Sequence, residues 1–197
     1  MDIRTKNKEI VTGLTKEAQK LYKLRYQMGN GGNVSARILG SDYMIVKGTD
    51  VDFLHVSAET LVVTDYNGNL IEGSIKPSKE ALLHGALYRR YPHIMAIFHC
   101  HSPWATAWAA KHEELEFSTH HSFQKLGGCC PVFDTQSYVV PAPFFEEIFK
   151  VLDHQPAISS FLLRGHGQVS LGKDIRSAAY LAELVEETAQ IAFLSNL

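Results

Sequence analysis

No stretch of this 197-residue chain approaches the length of a membrane-spanning helix, so a membrane is not an expected partner. Neither charge is in excess: 19 Lys and Arg stand against 21 Asp and Glu, a formal net charge of −2. No basic cluster offers the phosphate contacts that a nucleic-acid binder needs, so nucleic acid is not an expected partner either. The polar N-terminus lacks the apolar core of a secretory signal, which makes cytoplasmic residence the expectation. Cysteine is scarce, with three in all and no C-x-x-C pair. That excludes a disulfide framework and a thiolate zinc site. Cys129 and Cys130 are adjacent and are expected as reduced thiols in or near the core. Repeats, low-complexity tracts and linkers are also missing. The length then fits one domain over residues 1–197 with a substantial core.

Histidine, by contrast, is plentiful, and its placement is informative. His99 and His101 follow the apolar run Ile94-Met95-Ala96-Ile97-Phe98. On a strand, positions i and i+2 share a face, so these two imidazoles converge while Cys100 faces away. His166 stands between two glycines in Arg164-Gly165-His166-Gly167, and Glu80 lies upstream in Lys76-Pro77-Ser78-Lys79-Glu80. Three imidazoles with an open position are the donor set of a catalytic zinc. A carboxylate beside such an ion either ligates it or works as a base, while a glutamate early in a helix also simply favours the helix dipole.

Hydrophobic spacing predicts an opening helix over 5–28, stopped by the glycines of 29–33. Strands are expected over 34–39, 43–46 and 61–64, with Asn67-Gly68 as a hairpin turn. A helix over 79–90 with Ser78 as its N-cap follows, then a buried strand over 94–99 and a helix from Ser102-Pro103 to Ala110. Residues 131–140 read as extended and 143–152 as helix. Phe161–Leu163 runs into the histidine turn, Gln168–Leu171 returns from it, and a long amphipathic helix covers 175–194. Early hairpins with later interspersed helices predict an α/β fold: a mostly antiparallel sheet covered by helices. A parallel doubly wound sheet would need a regular strand–helix alternation that is missing.

Several turns suit an anion. Asn30-Gly31-Gly32-Asn33 offers backbone amides and side-chain donors, or is a plain helix stop. Lys47-Gly48-Thr49 follows a predicted strand. Ser78-Lys79 sits at a predicted helix N-terminus, where free amides favour anions. Around one metal candidate, these turns point to a phosphorylated or carboxylated substrate. His120-His121 reads as a loop pair able to bind metal or donate a proton.

Together these motifs resemble the class II aldolase/adducin-head family over nearly the whole chain. Gly32-Asn33-Val34-Ser35 matches its G-N-x-S turn, and Pro77-Ser78-Lys79-Glu80 its P-S-[STK]-E. His99-Cys100-His101-Ser102 with Ala105-Thr106-Ala107 matches H-x-H-S-x-x-A-T-A; Leu163-Arg164-Gly165-His166-Gly167 and Glu186-Glu187-Thr188-Ala189 match the closing turn and helix. The resemblance implies a three-layer α/β/α domain and a homotetramer with sites between subunits. It implies a divalent metal, foremost Zn2+, on His99, His101 and His166, with Glu80 a ligand in the empty site and the base in turnover. Asn33, Gly48, Ser78 and Lys79 would surround the phosphate of a small phosphorylated sugar or sugar acid. His121 stands near a tyrosine position of the fuculose-type aldolases, which implies a proton donor reaching into a neighbour's site. The implied activity is retro-aldol cleavage through a metal-stabilised enediolate. Decarboxylation of a four-carbon keto-acid phosphate, methylthioribulose-phosphate-type dehydration and pentulose-phosphate 4-epimerisation are alternatives on the same site. A non-catalytic module like the adducin head is the alternative from another class.

Overall fold

The computed structural model describes residues 2–197. In chain order its elements are α1 (Ile3–Lys6), α2 (Lys8–Lys23), β1 (Asn33–Arg37), β2 (Tyr43–Lys47), β3 (Leu61–Asp65), β4 (Leu70–Glu72), α3 (Ala81–Arg90), β5 (Ala96–Cys100), α4 (Pro103–Ala109), α5 (His120–Leu126), β6 (Val132–Phe133), α6 (Phe145–His154), β7 (Ser160–Leu163), β8 (Gly167–Gly172) and α7 (Ile175–Ser195). The strands form one sheet in the order β4-β3-β2-β1-β5-β8-β7-β6. Every pairing is antiparallel except β6 with β7. Among the described residues, no helix is long and apolar enough to cross a membrane.

Helices cover both faces. On one, Leu83, Leu87 and Tyr88 of α3 and Ile148, Phe149 and Leu152 of α6 pack on Met44, Val46, Ile97 and Val169 of the sheet. On the other, Val11, Leu14, Ala18 and Leu21 of α2 and the alanines of α7 pack on Val34, Ile45, Ala96, Phe98 and Cys100. A third cluster joins α4, α5 and α7 around Trp108 and Leu126. The three-layer, mostly antiparallel expectation is met. The strand alternation is also as the sequence implies: Ala96, Phe98 and Cys100 face α2 and α7, while Ile97 and His99 face α3. All three cysteines are buried free thiols.

Four local readings need correction. The first helix does not run to residue 28. It ends at Lys23, and Arg25, with φ 64°, turns the chain before the glycines are reached. Ser78 is not the N-cap of α3, because residues 78–80 form a turn that delays the helix to Ala81 and leaves Glu80 at the cap position without a side-chain cap bond. His120-His121 is not a loop: Thr119 Oγ1 accepts from the Ser122 amide at 3.1 Å and so starts α5 at His120. Over 131–140, only Val132–Phe133 is strand.

Candidate metal centre

The adjacency of β1, β5 and β8 builds the site. The antiparallel register sets Asn33 opposite His99, and His99 opposite Val169 on the other side. His101 lies one residue past the end of β5, and His166 arrives on the turn joining β7 to β8. Gly165 at φ 65° makes that turn, and Gly167 lets it approach β5, since a Cβ there would stand 2.3 Å from the Cys100 carbonyl oxygen.

The three imidazoles meet at their Nε2 atoms. His99 Nε2 lies 3.0 Å from that of His101 and 3.2 Å from that of His166. Glu80 completes the group, with Oε2 at 3.3 Å from His99 Nε2 and Oε1 at 4.0 Å from His166 Nδ1. Its carboxylate is buried; Oε2 accepts from Asn33 Nδ2 at 3.2 Å and Oε1 from the Val140 amide at 3.4 Å. His99 Nδ1 lies 2.8 Å from the Gln168 carbonyl oxygen and donates to it, which leaves Nε2 a bare lone pair aimed at the centre. Desolvation holds His99 down to about 3 and His166 to about 4, and lowers His101 as well. Neighbouring imidazoles push the same way for His99 and His166. All three rings are therefore neutral at pH 7, the form in which imidazole binds metal.

This donor set fits a cation. Ligands about 2.0–2.1 Å from a tetrahedral centre sit about 3.3 Å apart, close to the nitrogen separations found here. Neutral rings that cannot all donate to one another, beside a buried carboxylate, would otherwise leave inward lone pairs unpartnered.

The group opens into a cleft of about 340 Å3 lined also by Asn30, Gly31, Gly32, Lys47, Ser78, Lys79 and Tyr138. Lys79 is exposed at its rim, and among the described residues its ammonium has no ion pair. Ser78 Oγ is 3.4 Å from the Glu80 amide. Asn33 lies at the cleft, but its side-chain NH2 is engaged by Glu80, because the register puts it directly beneath the carboxylate. Gly48 is not among the residues that line the cleft. Its amide already donates to the Thr60 carbonyl, and it pairs with Pro77 so closely that a Cβ would stand 2.9 Å from Thr60 O and from Ile75 Cγ2. His121 is exposed on α5 and lines a separate groove with Tyr26, Tyr180 and Leu184, outside the cleft of its own chain.

One residue of the site, Gln27, has no signal in the sequence, and a second, Lys47, is read there only as part of an anion-suited turn and not as a buried cation. Gln27 is buried; its Oε1 accepts from the His101 amide at 2.7 Å, and its Nε2 donates to the Met28 carbonyl at 2.7 Å. Lys47 is 1% exposed, and its ammonium donates to the carbonyls of Asn30 (3.4 Å), Gly48 (3.3 Å) and Val51. It so ties the glycine turn to the loop after β2. Desolvation lowers its pKa to about 8, against the pull of Asp50 and Asp52. Only the fold tells a buried lysine from a solvated one.

A histidine triad able to hold a metal ion, at one end of a helix-covered antiparallel sheet, defines the class of protein. Residues 13–193 match the model of the class II aldolase and adducin N-terminal domain, and the chain belongs to that family. It is 31% identical to an L-fuculose phosphate aldolase of Methanococcus maripaludis over 191 residues, which cover 94% of this chain and 97% of that relative. It is 33% identical to a 3-oxo-tetronate 4-phosphate decarboxylase of Haemophilus influenzae, over 89% of this chain and 82% of that one. A solved L-fuculose 1-phosphate aldolase superposes with a TM-score of 0.85 at 26% identity, covering 95% of this chain and 86% of that one.

Proposed function

We propose that this chain is a divalent-metal-dependent carbon–carbon lyase, with zinc the foremost candidate, that cleaves a small phosphorylated sugar by retro-aldol chemistry. The observation that supports this best is the convergence of His99, His101 and His166 on one point beside a buried carboxylate at the foot of an open cleft. His99, His101 and His166 would hold the ion, which when bound supplies a Lewis acid for the oxygens next to the bond that breaks. The family resemblance adds Glu80 as a fourth ligand when substrate is absent.

The remaining work falls to the chain. Glu80 moves the proton, within reach of any group seated at the triad. Asn33 and the Val140 amide hold its two oxygens apart and aimed, so little reorganisation is left for turnover. Lys79 and Ser78 receive the phosphate at the rim, Lys79 as an exposed cation; Lys47 adds positive charge below the glycine turn. In the proposed homotetramer the site lies between subunits, and the exposed His121 serves a neighbour's cleft as proton donor. Its groove with Tyr180 and Leu184 gives α5 and α7 a half-apolar surface for that contact.

Decarboxylation of a keto-acid phosphate is the second reading. The exposed Lys79 in the cleft and the 33% identity to a decarboxylase favour it.

The deciding experiment is metal analysis of the purified protein, together with assays on ketose 1-phosphates, ketose 5-phosphates and keto-acid phosphates, read by product mass. Stoichiometric metal with release of dihydroxyacetone phosphate supports the aldolase; release of carbon dioxide moves the reading to the decarboxylase. Glu80→Gln should lower kcat by about 10²- to 10⁴-fold. Absence of metal and of turnover would refute both.

A further inference from the structure

The side that α3 turns to β1 is polar where a core face is normally apolar. Along β1 the alternate residues Asn33, Ser35 and Arg37 share one face. Along α3 and its cap, Glu80, His84 and Tyr88 follow at four-residue spacing. The two series meet rung by rung. Asn33 Nδ2 donates to Glu80 Oε2 at 3.2 Å. Ser35 Oγ lies 2.7 Å from His84 Nδ1 and 2.7 Å from the Tyr88 hydroxyl. Arg37 donates to the backbone carbonyls of Tyr88 and Tyr91. Ser35, His84 and Tyr88 are all fully buried. One serine hydroxyl serves both partners, because Tyr88 can donate to it while it donates to His84, or the run reverses.

We propose that His84 is a positioning residue for Glu80. The inference rests on reading Glu80 as the proton-transfer group, and it adds what fixes that group in place. Helix α3 makes no side-chain cap bond, so Glu80 does not fix its own position by capping the helix. The His84 amide donates to the Glu80 carbonyl at 3.1 Å, so whatever fixes the backbone at residue 84 fixes it at 80. The imidazole does this by its bond to Ser35, two residues along the strand from the asparagine that touches the Glu80 carboxylate. Apolar packing is non-directional and would let the helix rotate or slide on the sheet. Two short, buried hydrogen bonds to one strand hydroxyl permit a single register. Burial, with His99 nearby, keeps His84 neutral, with its pKa pushed down to about 3, so it adds no charge behind the metal centre.

The test compares His84→Leu, His84→Asn and the core variant Phe149→Leu with the wild-type protein. Asparagine can place an amide near the lost Nδ1 and keep the tie to Ser35; leucine cannot. A displacement of about 1 Å at a reacting group costs up to about 10²-fold in rate. His84→Leu should therefore lower kcat by about ten- to a hundredfold, with KM and metal content little changed, and His84→Asn should recover most of the loss. Phe149→Leu should lower the melting temperature and leave kcat unaltered. An independent readout uses Co2+ in place of the native metal. The visible spectrum of His84→Leu should shift in the same sense as that of Glu80→Gln, which has lost the carboxylate. If the wild-type protein turns over none of the substrates, the proposed function fails and the cobalt spectrum alone decides on His84. A folded, metal-loaded His84→Leu protein with wild-type kcat and spectrum would overturn the inference, as would asparagine faring no better than leucine. Should the leucine variant not fold, asparagine against Phe149→Leu at matched melting temperature decides: a changed cobalt spectrum in the asparagine variant supports positioning, and identical kcat and spectra overturn it.

Discussion

Lowering the pH from 7.5 to 5 should weaken the metal-free protein far more than ordinary surface titration does. His84 and His99 are fully buried, and burial pushes each down to about 3 from an ordinary value of 6.5. The unfolded chain takes up protons at these two positions as soon as the pH falls below about 6.5, while the folded chain does not. Their stabilising contribution is thus fully present above that pH, declines below it, and is exhausted only near pH 3. At pH 5 the difference amounts to about 2 kcal/mol for each residue, or about 4 kcal/mol for the pair. A domain stable by about 5–15 kcal/mol would lose a large share of its margin. Urea titrations of chelator-treated protein at fixed concentration, at pH 7.5, 6 and 5, measure this directly. His84→Asn should remove about 2 kcal/mol of the pH dependence, the His84 share, since asparagine does not titrate. A stability that stays level between pH 7.5 and 5 would refute the reasoning, because the two imidazoles would then be protonated or solvated in the folded state.

The other predictions concern the turns around the site. Gly32→Ala would set a Cβ 2.4 Å from Gln27 Oε1 and 2.7 Å from the His99 carbonyl, at φ +61°. It should cost about 1–3 kcal/mol and reduce bound metal below stoichiometry, as denaturant titration and metal analysis would show; full metal occupancy at unchanged stability would count against it. Lys47→Met leaves three carbonyls without their common donor. We expect a loss of about 1–3 kcal/mol and a raised KM for phosphorylated substrates with a smaller change in kcat. An unaltered KM would show that the ammonium does not support the anion site.

Much of this architecture is legible in the sequence, for a physical reason. Alternation along Ala96–Cys100 reports which face each side chain takes, so the pairing of His99 with His101 could be read without coordinates. The turn carrying His166 announces itself by its two glycines, Gly165 for its left-handed φ and Gly167 for the close approach to β5. What was not legible depends on contacts between distant segments. Ser78 looks like a cap because serine often is one; the actual helix start is decided by the Ser78–Glu80 turn, which Pro77 anchors by its bridge to Gly48. The residues 120 and 121 look like loop until Thr119 is seen to cap α5. Gln27 carries no motif and Lys47 is legible only as part of a turn; their buried contacts arise only when the chain brings a carbonyl or an amide within reach of an otherwise ordinary polar side chain. The polar seam at Ser35, His84 and Tyr88 is legible only in pieces, since four-residue spacing in the helix and two-residue spacing in the strand both had to be matched to a register that the sequence does not print.

The pairing of β5 with β8 also sets when the proposed metal site can form. Two imidazoles come from residues 99 and 101, and the third comes from residue 166, near the C-terminal end of the chain. Cys100 and Gln168 face each other in the register, so the triad exists only after this long-range pairing has closed. Loop closure over such a separation is slow compared with local helix formation. During synthesis, no complete site can form until residue 166 has left the ribosome. Insertion of the proposed metal would then be a late step of maturation, and metal uptake during refolding would serve as a clock for the closing of the central sheet.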